Sequence, residues 1–268
     1  MTMGLQLAGV NVAIVVATST ADNSRHWVAA KATASRVSFV GVDGLTVAAS
    51  DLAVELNRPD QNGHLINFSD QPLLVTTGPQ SSMTLDFDAA DGPVLKASAA
   101  FDIDLFGFVL LNGSFEVSKS ETQVTLADAD STSLDVELLT IGATGVNAFA
   151  GVNGNSSDRQ GLALSDVEFG LALATSKTDP ARRWTALTAT AGSVELVGVN
   201  DLTLSATDLS LAVSRADVQG DVIDFSDSFL SVETGKDSDG VARARQLLRA
   251  RHASRSGPDD GNRLAGLL

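Results

Sequence analysis

The chain has 268 residues, with 23 glycines, no cysteine and no tyrosine, and a formal net charge of −15. That length allows one or two domains with an ample core. Absence of cysteine excludes disulfides and thiolate metal sites, and an acidic body disfavours nucleic acid and anionic membranes, whose phosphates need Lys and Arg.

The first apolar run, Leu5 to Val16 (LQLAGVNVAIVV), has the look of a secretory leader. No Lys or Arg precedes it, and the same positions recur in mid-chain as Leu162 to Leu173 (LALSDVEFGLAL), so it is expected to belong to the fold. This recurrence is general. Residues 4–78 and 161–235 are one segment written twice, in register and without a gap, at a constant offset of 157. Trp27 falls on Trp184, Phe68 on Phe225 and Gly78 on Gly235. The expected organisation is a first repeat copy (1–78), an intervening β region that completes the unit (79–160), a second copy (161–235), and a basic tail (236–268), helical or disordered.

Strand signals dominate in chain order. Leu45 and Val47, then Leu52, Val54 and Leu56, alternate with polar residues but change phase near Ser50-Asp51. Copy two changes phase at Thr207-Asp208, between Leu202-Leu204 and Leu209-Leu211-Val213. The shared shift predicts either a β-bulge or a corner. Phe115-Val117, Leu134-Val136 and Val167-Phe169-Leu171-Leu173 alternate likewise, as one-sided strands do. Asp43-Gly44, Asn62-Gly63, Asp91-Gly92, Asn112-Gly113 and Asn153-Gly154 supply turn chemistry. The pattern predicts an all-β, elongated antiparallel meander or sandwich built from a tandem repeat of about 157 residues. The alternative is a β-solenoid, whose rungs also produce period-two strands.

Charge is unevenly placed. The tail carries seven Lys and Arg against four Asp, so residues 1–235 hold a net charge of about −18.

Little here suggests catalysis, and a non-enzyme is expected. Neither His26 nor His64 survives in the other copy, where Arg183 and Asp221 stand, and His252 lies in the tail. A triad, a zinc site or a His base would need at least one positioned His. No HExxH, GxSxG, Walker or strand-linked GxGxxG motif is present. Pairs such as Asp86/Asp88 and Asp102/Asp104 carry little information in so acidic a chain.

Asp128, Asp130 and Thr132 place oxygens at alternating positions, as the first half of a calcium loop does. The loop lacks the glycine at position six, and Leu139 occupies the place of the bidentate glutamate. The simpler expectation is a polar hairpin turn between the strands at Val124 and Leu134. The repeated Asp22-x-x-Arg25-x-Trp27 and Asp179-x-x-Arg182-x-Trp184 are the most distinctive polar–aromatic match. Trp27, Trp184, Arg25 and Arg182 are thus candidate ligand contacts, for instance stacking on sugar. The simpler expectation pairs Asp with Arg across a loop while Trp anchors the next strand, with Arg over its face. Phe68-Ser69-Asp70 and Phe225-Ser226-Asp227 read as strand end plus turn cap.

Val40 to Val47 (VGVDGLTV), Phe106 to Val117 (FGFVLLNGSFEV) and Gly145 to Gly154 (GVNAFAGVNG) resemble the tandem modules of very large bacterial secreted or surface proteins, adhesin-like in kind. The resemblance implies an extracellular or cell-surface setting, neighbouring repeats of a longer chain as partners, a cell-surface or matrix partner as an option, and no catalytic residues. An acidic calcium insert that such modules carry is replaced here by Asn155 to Gln160 (NSSDRQ). The expected function is a structural spacer, with calcium stiffening as an option and neither nucleic acid binding nor membrane insertion. The alternative is a ligand-binding β module with an apolar groove for lipid or hydrophobic peptide, or an aromatic sugar-binding edge. Exposure discriminates: a spacer hides its Leu, Val and Phe, whereas a binder leaves a contiguous apolar patch above a few hundred Å².

Overall fold

The computed structural model describes residues 3–225, 230–235 and 246–248. Its strands are β1 (Gly4–Ala8), β2 (Asn11–Thr18), β3 (His26–Val40), β4 (Leu45–Arg58), β5 (Leu73–Gly78), β6 (Ser81–Leu85) and β7 (Val94–Leu105). After these come β8 (Val109–Thr125), β9 (Ser133–Val152), β10 (Gln160–Ser176), β11 (Arg183–Val197), β12 (Leu204–Arg215), β13 (Leu230–Val232) and β14 (Gln246–Leu248).

Ten of them form one sheet, in the order β1-β3-β4-β7-β8-β9-β10-β11-β12, with β2 also paired to β3 alongside β1. All pairings among the described residues are antiparallel, so the sheet is a meander and the parallel rungs of a solenoid do not occur. Sequential hairpins need only short turns, and Asp43-Gly44 and Asn153-Gly154 supply two of them. Asn112-Gly113, expected as a turn, instead lies inside β8 at a register shift against β9, and the chain turns from β7 to β8 at Phe106-Gly107. The sheet runs unbroken through the boundary between residues 160 and 161, where β9 pairs with β10.

Two small hairpins lie against this sheet. β5–β6 leaves the meander between β4 and β7 and touches β2 and β3, while β13–β14 touches β9, β10 and β11. Under the first, Ala13, Ala29, Phe68, Leu85 and Phe87 form a core with Val15, Ile66, Val75, Met83 and Val94. Under the second, Trp184, Phe225, Ile223, Val136, Leu138 and Val232 anchor a larger core. Phe68 and Phe225, identical in the two copies, thus play the same part.

Residues 246–248, expected as helix or disorder, are a strand, because β13 offers their backbone groups partners in a neighbouring strand. The rest of the tail lies outside the described residues. Leu5–Val16 is built into the sheet as β1 and β2.

The phase shift is a bulge. Asp51 and Asp208 both hold positive φ, 54° and 53°, and the same left-handed geometry recurs at Gly9 and Asp166 (60° and 50°). Each pair is 157 residues apart. An extra residue in this conformation reverses the side-chain alternation, so the apolar set stays on one face on both sides of it.

Candidate ligand-binding face

Strand β7 fixes the two faces of the sheet because it alternates without interruption. Leu95, Ala97, Ala99, Phe101, Ile103 and Leu105 point one way, and Val94, Lys96, Ser98, Ala100, Asp102 and Asp104 the other. Register carries this assignment outward. On one side, Leu45, Val47, Ala49, Val54 and Leu56 of β4 lie opposite the apolar set, followed by Ala30, Ala32, Val37 and Phe39 of β3 and by Leu5, Leu7, Val12 and Ile14 of β1 and β2. On the other side come Val109, Leu111, Phe115 and Val117 of β8, then Ile141, Ala143, Ala148 and Ala150 of β9. Leu162, Leu164, Phe169 and Leu171 of β10, Leu187, Ala189, Val194 and Leu196 of β11, and Leu204, Leu211 and Val213 of β12 complete it.

Over its central rows each strand of the large sheet therefore turns apolar residues to the same face. Both hairpins sit on the opposite, polar face, since Ala13, Val15, Ala29, Leu138, Ala174 and Trp184 pack under them. No described segment covers the apolar face. Ile14 is 61 % exposed, Val16 69 %, Leu95 50 % and Leu211 52 %. Nine strand positions at about 4.8 Å spacing make the face roughly 40 Å across.

The face is not flat. Along the line of bulges, Ala34, Ala99, Ala143 and Val146 are buried to 6 % exposure or less although nothing is stacked on them. On an uncovered sheet small side chains are hidden only where larger neighbours lean over them. Phe101, Phe115 and Phe169 stand on this face in edge-to-face contacts at 5.6 and 6.3 Å between ring centres, with Phe115 beside Ala99 and Ala143 in register.

Charges gather at one end of this face. Arg58, Lys119, Glu121, Glu137, Lys177, Arg183 and Arg215 cap the apolar rows, with ion pairs from Lys119 to Glu137 (3.1 Å) and Lys177 to Glu121 (2.7 Å). Arg58 and Arg215 are equivalent positions of the two copies, and both are exposed.

The polar face carries a cleft of about 730 Å³ between the hairpins, lined among others by Lys31, Asp86, Lys96, Glu116 and Glu233. Its charges satisfy one another. Lys31 reaches Asp86 at 2.5 Å, while Lys96 reaches Glu233 at 2.5 Å and Glu116 at 3.0 Å. Burial pushes the Glu116 carboxyl up despite the nearby ammonium.

The two tryptophans stand at the capped end in matching cages. Trp27 Nε1 donates to the His64 carbonyl (2.9 Å) and Trp184 Nε1 to that of Asp221 (3.0 Å). Arg25 lies 4.9 Å above the ring of Trp27, and Arg182 5.2 Å above that of Trp184. The arginines do not pair with Asp22 and Asp179. Arg25 binds Asp60 at 2.5 Å and Arg182 binds Asp217, because the turn after the next strand brings those carboxylates alongside. Asp22 instead accepts from the amide of Ser24 in its own turn, and Asp179 from that of Ala181.

Asp60 also accepts from the amides of Asn62 and His64, both at 2.9 Å. Burial alone would raise its carboxyl, but the guanidinium and the two N–H groups outweigh that and hold it down at about 2. Asp217 is lowered by the same balance, with Arg182, Asp221 and Gln219 in those roles. Trp184 is 3 % exposed, so in this arrangement it is a core anchor.

At the third candidate, Asp128 closes the β8–β9 turn by accepting from the Thr132 amide at 2.9 Å. Bonds from the Thr132 hydroxyl and amide hold its carboxyl below the usual range. Asp130 is exposed at the turn's edge. Among the described residues no group of three or more His, Cys, Asp or Glu is placed to hold a metal ion. The cap at Phe68 belongs to Asn67, whose Oδ1 accepts from Ser69 and Ala89, while Asp70 accepts from the Asn67 amide group. Ser226 and Asp227 lie outside the described residues.

No family model, curated protein or solved structure matches this chain. No described helix is long and apolar enough to cross a membrane. The site must therefore be read from its own geometry.

Proposed function

We propose that the chain is a non-enzymatic repeat segment whose creased apolar sheet face binds extended hydrophobic ligands, foremost the acyl chains of lipids. The observation that carries this reading is the continuity of the face. Apart from the aspartates at the left-handed positions Asp51, Asp166 and Asp208, its central rows are uncharged, and no described segment covers them. Leaving so much hydrocarbon in water is unfavourable by about 25 cal/mol per Å², so an occupant that removes water from it gains correspondingly. A face that mixes small residues with a row of Phe rings suits flexible methylene chains. Arg58 and Arg215 at one rim favour an amphiphile whose anionic head rests there and whose tail lies along the apolar rows. The repeat of 157 residues and the resemblance to surface-protein modules support placing the segment in a longer, extracellular array, in which a spacer role and a ligand-carrying role coexist.

The test is titration of the chain with a long-chain fatty acid carrying a fluorophore on its tail. Val117 and Leu95 are 41 % and 50 % exposed on the face. Val117→Asp and Leu95→Asp keep their carboxylates in water, so the fold survives while probe affinity falls at least about tenfold. Thr46→Asp, on the polar face, leaves binding unchanged. Equal affinity in all four proteins would refute the reading. Lipid extracted as single molecules, without co-sedimentation of the protein with zwitterionic vesicles, identifies the ligand as free lipid rather than a bilayer surface.

A further inference from the structure

Both outer edges of the large sheet carry a left-handed residue, Gly9 and Asp208, where the ladder to the described neighbour is regular. Asp51 of β4 shows what such a bulge is for. Toward β3 the ladder is regular, with Leu52 opposite Ala34 and Ser50 opposite Arg36. Toward β7 it shifts: Ser50 pairs with Ala100 and Ala53 with Ser98, so Asp51 and Leu52 together face the single residue Ala99. The left-handed residue of β4 thus serves its β7 side.

β12 repeats β4 at the offset of 157, with Asp208 at φ 53°. Its ladder to β11 is regular, Thr207 opposite Ser193 and Leu209 opposite Ala191. The extra residue therefore serves the other edge, where all twelve residues of β12 are exposed. A non-glycine residue at positive φ is strained and persists only where the structure requires it. The far edge tells the same story. Gly9 is regular toward β3, while its equivalent Asp166 is regular toward β11 and shifts toward β9.

We propose that the β12 edge is a docking site for an antiparallel strand of β7 chemistry, donated by a further copy of this repeat. The register is fixed by the bulge: Thr207 opposite the position of Ala100 and Ser210 opposite that of Ser98. The sheet and its apolar face then continue from one copy into the next by strand addition. This docking is independent of what the apolar face holds.

The chain has no cysteine, so Thr207→Cys gives the full-length protein one thiol. The probe is a synthetic peptide of residues 94–105 carrying Ala100→Cys, with Ser98→Cys and Asp102→Cys peptides as register controls, in a glutathione redox buffer. The expected result is mixed-disulfide formation at least about tenfold faster with the Ala100→Cys peptide than with either control. The cysteine-free peptide should also slow hydrogen exchange at the amides of residues 204–215 in the unmodified chain. Cross-linking without preference among the three peptides, or exchange unaffected by the peptide, would overturn the proposal. Lipid binding plays no part in either readout, so the two readings fail separately.

Discussion

At the scale of single residues, the Trp–Arg–Asp cages show how one motif is used twice with different burial. Trp184 lies in the larger core, whereas Trp27 is only half-buried. Trp184→Ala is expected to cost about 3–5 kcal/mol in urea denaturation, and Trp27→Ala distinctly less. A sugar-stacking role would instead leave stability intact and alter carbohydrate binding. Asp60 adds a pH dependence whose sign is set by its low carboxyl value of about 2. A lowered acid stabilises the fold above its unfolded value near 3.9, and that contribution is lost as pH falls from about 4 to about 2. Stability measured across this window should fall more steeply in the natural chain than in Asp60→Asn. The sequence revealed that Arg25 and Trp27 belong together. It concealed the acid, because Asp60 comes from a turn 35 residues away while Asp22 sits at a tempting local spacing.

At the scale of elements, the bulges are the devices that keep Leu, Val and Phe on one face over long strands. The change of phase at Asp51 and Asp208 was legible as a pattern, and only backbone geometry separates a bulge from a corner. Asp51 at φ 54° accepts glycine readily and resists a β-branched residue. Asp51→Gly should change stability by no more than about 0.5 kcal/mol, and Asp51→Val should lower it by about 1–2 kcal/mol, both read from denaturant midpoints. The turn at Asp128 shows the opposite lesson. The sequence shows alternating oxygens there, and the structure adds that Asp128 accepts from the Thr132 amide, a local contact that spacing alone does not reveal.

At the scale of the whole molecule, the chain is an amphipathic sheet with its hairpins and cores on the polar side. Period-two alternation announced that every strand has an apolar side. It could not announce what covers that side, because coverage depends on where the hairpins at β5–β6 and β13–β14 come to rest. They rest on the other face, over Ala13 and Ala29 and over Trp184 and Ala174, and no described segment covers the apolar face. The acidic balance of the body keeps such a surface apart from its own kind by repulsion while leaving it accessible to a neutral or acidic amphiphile at the arginine rim. The most direct test of this account is native mass spectrometry of the chain, purified without detergent and then mixed with long-chain fatty acid. The account predicts discrete adducts of one or more acyl ligands on the natural chain, and their loss in Val117→Asp. A natural chain that stays free of adducts at ligand concentrations of about 100 μM, while remaining folded and monomeric, would contradict it.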